Sequence, residues 1–200
     1  WEPEKGPFSF WKAYCPEPYG GRYYQQRREW RVLSLLAPSL NLDPYAEEQY
    51  QLSVKPDDKV SVQVLMVIKR DYYEGTQFDL TEGIAAGPFG NPNRYPTPTD
   101  VKPEDSKNLD WERAISMFRC SYSFISQARS WLPDPVGGLL WFGEDAPHST
   151  CYVPLYCGIT EVPKSFSSGR RDVFDEDSAW WAFNFVSNWA DLKFSYMIKD

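Results

Sequence analysis

The stretch Cys120-Ser-Tyr-Ser-Phe-Ile-Ser-Gln-Ala-Arg-Ser-Trp131, followed by Pro133-Asp-Pro-Val-Gly-Gly138 and Leu139-Leu-Trp-Phe142, decides the fold class. The first part reads as a strand, the Pro/Gly run as a turn, and the second apolar run as another strand. A loop around His148 then leads to a third strand candidate, Cys151 to Tyr156. Strands joined by connections this short pair most naturally as an antiparallel meander.

Helical patterns flank the strands. Ser61 stands where an N-cap belongs, and Val62, Leu65, Ile68 and Tyr72 recur at helical spacing towards a stop at Gly75, which predicts a helix to about Tyr73. From Ser178 to about Lys199 a second helix is expected, with Asp175, Glu176 and Asp177 at its positive end and Lys199 at its negative end. Trp180, Trp181, Phe183, Phe185, Val186, Trp189, Leu192, Phe194 and Met197 cover more than one of its faces, which predicts burial between layers. Residues 1–30 read as irregular chain with docked aromatics; Arg31 to Ala37, ended by Pro38, has β character, but so short an apolar run is ambiguous between strand and helix. Asn41 to Lys59 reads as a polar connection, and Gly83 to Pro103 as loop. Helices and antiparallel strands in blocks give an α+β layered fold, in which an antiparallel sheet packs against helices. Residues 1–200 form one domain or part of a larger one.

The composition fits a packed core: 200 residues, with nine Trp, thirteen Tyr and twelve Phe. Each aromatic can bury about 150–250 Å², or about 4–6 kcal/mol gross at roughly 25 cal/mol/Å². A net charge of −7 argues against a nucleic-acid partner. The basic cluster Arg27, Arg28 and Arg31, interrupted by Glu29, reads as a solvated face. No apolar run is long enough to span a membrane. The chain begins at Trp1 without a leader pattern and stops inside a helical pattern, which reads as a processed or excised fragment. Four cysteines (Cys15, Cys120, Cys151 and Cys157) are compatible with an oxidising compartment, and paired and free thiols both remain open.

Most catalytic constellations are missing. With one histidine there is no His-rich zinc site, and no GxSxG, Walker or GxGxxG pattern occurs; no metal or cofactor is expected. His148, in a loop after Pro147, reads as a surface residue. The acid pairs Asp57-Asp58, Glu144-Asp145 and Asp175-Glu176-Asp177, taken with the tryptophans, admit a carbohydrate-binding or glycosidase module. Turns and helix starts explain the same acids. Arg129, beside Trp131 and opposite the face of Phe124, Ser126, Ala128 and Ser130, either clamps a substrate carboxylate or makes a structural pair. Asn91 and Arg94 sit on the turn-rich segment Gly87-Pro-Phe-Gly-Asn-Pro-Asn-Arg94. There Asn91 offers either an amide to an oxyanion or turn chemistry.

Several of these segments carry a resemblance. Arg70-Asp-Tyr-Tyr-Glu-Gly-Thr76 with Phe78-Asp-Leu-Thr81, Gly87-Pro-Phe-Gly-Asn-Pro92 and Gln127-Ala-Arg-Ser-Trp-Leu-Pro133 are among them. Cys151-Tyr-Val-Pro-Leu-Tyr-Cys-Gly158, Ser178-Ala-Trp-Trp181 and Phe185-Val-Ser-Asn188 complete the set. Together, and in this order, they resemble the dipeptidase A family of cysteine peptidases, whose relatives include the secernins. The resemblance implies an N-terminal nucleophile hydrolase, an αββα sandwich in which a cysteine at the mature N-terminus attacks the peptide carbonyl. Its own α-amino group, near pKa ~8, serves as base. Dipeptides are the implied substrate, and a secreted or periplasmic location is the implied setting. Residue 1 is Trp, so the nucleophile is expected upstream, with the remainder of the same polypeptide as partner. Asn91, Arg94, Arg113 and Arg129 are the candidates for oxyanion support or substrate clamping. A relative that kept the scaffold and lost the nucleophile is the remaining alternative.

Overall fold

The computed structural model describes residues 6, 8, 14, 23–46, 50–93 and 113–198; Cys15, Arg94 and Lys199 lie outside them. Three strands form the sheet: β1 (Tyr122–Ala128), β2 (Gly138–Glu144) and β3 (Val153–Tyr156). They pair antiparallel in chain order, Tyr122 opposite Glu144 and Ala128 opposite Gly138, then Leu139 opposite Tyr156 and Phe142 opposite Val153. The meander and the α+β class are therefore as expected. The Asp134–Gly137 turn closes it because Arg129 N–H donates to Gly137 O at 2.8 Å and Cys157 N–H to Gly138 O at 3.0 Å.

Among the described residues the α-helices are α1 (Tyr23–Leu36), α2 (Val62–Arg70), the single turns α3 (Asp134–Gly137) and α4 (Lys164–Ser167), α5 (Ala179–Leu192) and the final turn α6 (Phe194–Met197). α2 lies against β1 and α5 against β2. Among the described residues no helix is long and apolar enough to cross a membrane.

α1 corrects two expectations, irregular chain to residue 30 and β character from Arg31. Its buried positions, Gln26, Arg27 and Trp30, follow helical spacing, but two of the three are polar, so no apolar stripe announces them. Arg27 is not a solvated residue. It is 1% exposed, its guanidinium 3.5 Å above the Phe78 ring, and it donates to Pro44 O. Arg31 is likewise committed, donating to both carboxylate oxygens of Asp71 at 2.7–3.0 Å and to Glu74 O. A buried apolar cluster joins this helix to the chain after α2: Trp30, Tyr73, Leu80 and Ala114, with Phe78 and Tyr72 packed on it.

α2 starts as expected, Ser61 Oγ accepting from Val64 N–H. It stops at Arg70, three residues before the expected end, because the Asp71 carboxylate takes the Tyr73 N–H at 2.9 Å and holds Tyr73 at φ +70°. The last helix also departs from expectation. In a continuous helix Ser195 N–H would bond Asp191 C=O. Instead Ser195 N–H donates to Phe89 O at 3.0 Å, and Asn91 Nδ2 donates to Asp191 O at 2.8 Å. The 87–93 loop thus occupies the place of one helical bond, and Lys193 leaves the helical conformation (φ −146°, ψ 56°) between α5 and α6.

α5 is not buried between layers within this chain. Its inward face carries small residues, Ala179, Ser187 and Ala190, so the backbone approaches its neighbours closely. Phe185, Val186, Trp189 and Leu192 point outward, Trp189 at 54% exposure.

Candidate functional site

The residues singled out from the sequence fall into separate neighbourhoods. Asn91 belongs to the junction just described. Its Nδ2 donates to Asp191 O and its Oδ1 accepts from Asn93 N–H at 2.8 Å, while Asn93 Nδ2 reaches Asp191 Oδ1 at 2.6 Å. Arg113 sits beside the core cluster, where its carbonyl accepts the Tyr73 hydroxyl at 2.6 Å. Arg129 stands at the hairpin end: Nη2 donates to Val136 O, and the guanidinium lies 5.7 Å from the Tyr156 ring. Arg94 lies outside the described residues. No hydrogen bond joins Asn91, Arg113 and Arg129 to one another among the described residues.

Two polar groupings are buried against expectation. His148 is buried, at 8% exposure, rather than on the surface. Its Nδ1 lies 3.0 Å from the Ser116 hydroxyl, its ring packs edge-on to Phe194, and burial pushes its pKa down to about 4. The imidazole is therefore neutral near pH 7. Upstream of it, Asp145 follows β2 in a left-handed conformation (φ +63°), buried, with Oδ1 accepting from Ala146 N–H. Burial raises its carboxyl above the ordinary range, and the Asp191 charge adds to this against hydrogen bonds from Ala146 and Asn184. Burial raises Glu144 and Asp191 too. Nothing in the sequence except the small residues around Pro147 hinted at this burial.

Cys120, Cys151 and Cys157 are free thiols. Burial pushes the Cys120 thiol up, the opposite of what activates a nucleophile. Among the described residues no cluster of His, Cys, Asp and Glu suits a metal ion.

A groove of about 400 Å³ is lined by the start of α2 (Ser61, Gln63, Leu65), residues 125–128 of β1 and Trp141 of β2. The Trp141 indole donates to Gln127 Oε1 at 3.3 Å.

The segments that carried the resemblance are joints in this fold. Arg70 donates to Pro147 O and Thr150 O, which holds the loop bearing His148. Asp79 accepts from Gly75 N–H, Thr81 N–H and the Thr81 hydroxyl. Gly158 packs so closely on Pro135 that an added Cβ would stand 2.7 Å from its carbonyl oxygen. Trp181 Nε1 donates to Arg170 O, and the Ser178 hydroxyl to Ser168 O.

Comparison with known proteins agrees. The model of peptidase family C69 matches residues 2–200. A protein described as a probable dipeptidase from Salmonella dublin is 26% identical over 159 residues, which are 80% of this chain and 32% of that protein. One from Latilactobacillus sakei, also described as a probable dipeptidase, is 24% identical over 178 residues, 89% of this chain and 33% of its own length. The chain thus spans about a third of the length of the curated relatives it matches. With the family model matching nearly every residue, and the joints above in the places that the resemblance picked out, the chain belongs to peptidase family C69.

Proposed function

We propose that the protein is a cysteine-type dipeptidase in which this chain supplies scaffold and substrate contacts, while the nucleophile is a cysteine at the mature N-terminus of a longer polypeptide. The observation that carries the reading is the family match, together with two relatives described as probable dipeptidases. The α-amino group of that cysteine, near pKa ~8, takes the thiol proton, and the thiolate adds to the peptide carbonyl. The amine leaves, and water hydrolyses the thioester. Within these 200 residues the buried His148 is hydrogen-bonded to Ser116, and no described cysteine is hydrogen-bonded to it.

The sheet supports a layered hydrolase. Its outer face carries Tyr122, Phe124, Leu140, Phe142, Val153 and Leu155, with Tyr122 and Phe124 about half exposed. An apolar face of this kind suits a second sheet stacked about 10 Å away. The carbohydrate reading draws on exposed Phe185 and Trp189, whose rings lie 5.0 Å apart; family membership favours the peptidase. Export from the cytosol is part of the proposal on kinship alone, because the described cysteines are unpaired.

The test is hydrolysis of Ala-Ala by the full-length natural polypeptide and by this 200-residue stretch alone. Turnover by the first and none by the second is expected. Turnover by the stretch alone, or by neither, contradicts the proposal.

A further inference from the structure

α5 turns an apolar face outward. Its exposed positions are Ala182, Phe185, Val186, Asn188, Trp189 and Leu192. None is charged, and the Asn188 amide is turned back to Asn184 O of the same helix at 2.7 Å. Asp191, the one charged residue of α5, lies at the junction, where Asn93 Nδ2 reaches it. A surface helix ordinarily sets charged and polar side chains opposite its buried stripe. Here the buried stripe, Ala179, Ser187 and Ala190, is small and the outward face is bulky. That is the reverse of a solvent-facing helix.

The Phe185 and Trp189 rings lie 5.0 Å apart, each about half exposed, and Leu192 beyond them is 68% exposed. With 150–250 Å² to each aromatic, the stripe from Phe185 to Leu192 leaves roughly 400 Å² of apolar surface open. Three occupants do not fit it. A stable complex buries about 800 Å² on each partner, twice this stripe, so a second copy is held too weakly. A membrane surface calls for Lys or Arg beside the apolar face, and α5 has neither. A sugar needs polar partners for its hydroxyls as well as rings, and the Asn188 amide is engaged within its own helix. An element on the same polypeptide needs less area, because tethering removes most of the cost of association. This chain spans only about a third of the length of its curated relatives, which carry the remaining two thirds on one polypeptide.

We infer that α5 is an internal docking helix: an apolar element of the longer polypeptide, outside these 200 residues, packs on Phe185, Val186, Trp189 and Leu192. The inference rests on the reading that the nucleophile belongs to such a polypeptide, and adds which face of this stretch the remainder grips. The burial between layers that the sequence pattern of α5 predicts is then reached in the full polypeptide rather than within this stretch.

Hydroxyl-radical footprinting of the full-length natural polypeptide, read by mass spectrometry against the same protein in urea, tests it. Trp189 is expected to be protected as fully as the buried Trp30, at every protein concentration. An open face would leave Trp189 labelled at about half its unfolded rate, in line with its 54% exposure. A photo-cross-linker at the rim, Asn188→p-benzoylphenylalanine, is expected to join a residue outside these 200 within one molecule. Ala182 takes the group if that variant does not fold. Trp189 open to label, protection lost on dilution, or a cross-link to a second copy or to another residue of these 200 overturns the inference. Ala-Ala turnover is followed separately. Turnover with Trp189 open removes the docking face and leaves the hydrolase; protection and the expected cross-link without turnover do the reverse.

Discussion

Asn91 and Asp191, a hundred residues apart, are joined by a 2.8 Å hydrogen bond from the Asn91 amide to the Asp191 carbonyl. The bond stands where a helix would make its own, and with Ser195 N–H turned to Phe89 O it fixes the break between α5 and α6. Replacing Asn91 by Ala leaves a partly buried carbonyl without its donor. A loss of about 1–3 kcal/mol in urea unfolding is expected. A smaller loss than this, with a large fall in turnover, would favour the oxyanion role instead.

Arg31 and Asp71 form a two-pronged ion pair with side chains only 13% and 7% exposed. Asp71→Ala strands a buried guanidinium, so about 3–5 kcal/mol should be lost. The double variant Arg31→Met with Asp71→Ala should recover part of that, because no charge remains unpaired. Additive losses in denaturation would contradict the pairing.

His148 makes stability depend on acid. Folded, it takes a proton only near pH 4; unfolded, near its ordinary 6.5. The unfolded state therefore binds more protons between those values, and stability falls as pH drops through the window, by about 3 kcal/mol across it. Glu144, Asp145 and Asp191, raised by burial, act in the opposite sense, since the folded state takes up their protons first. Urea midpoints at pH 7 and pH 5 should show the larger acid loss in the natural protein and the smaller in His148→Gln. Equal losses would mean that the imidazole is solvated.

At Gly138 an added Cβ would lie 2.5 Å from Cys157 Sγ. Gly138→Ala is expected to lose about 1–3 kcal/mol by overpacking. Cys157→Ala removes the sulfur and should restore most of it, as a double-mutant cycle in thermal or urea unfolding will show.

The meander was legible because its signals are local. The turn Pro133 to Gly138 and the runs on either side act within a few residues of each other. The start of α2 was legible for the same reason, Ser61 capping its own helix. α1 was hidden because Gln26 and Arg27 occupy its buried face, the arginine over the Phe78 ring. The end of α5 was missed because a distant partner, Asn91, decides it, and that of α2 because the Asp71 carboxylate takes the Tyr73 N–H in place of another helical turn. The family was legible in short segments that prove to be joints. The chemistry was not, because the candidates were chosen by residue type, while Asn91 and Arg129 serve these joints in the fold.

The most direct measurement of the central claim is alkylation of the full-length natural polypeptide with iodoacetamide, followed by peptide mapping and Ala-Ala turnover. The account predicts that turnover falls in step with labelling of one cysteine at the mature N-terminus, outside these 200 residues. Loss of turnover that tracks labelling of Cys120, Cys151 or Cys157, or turnover indifferent to alkylation, would contradict it.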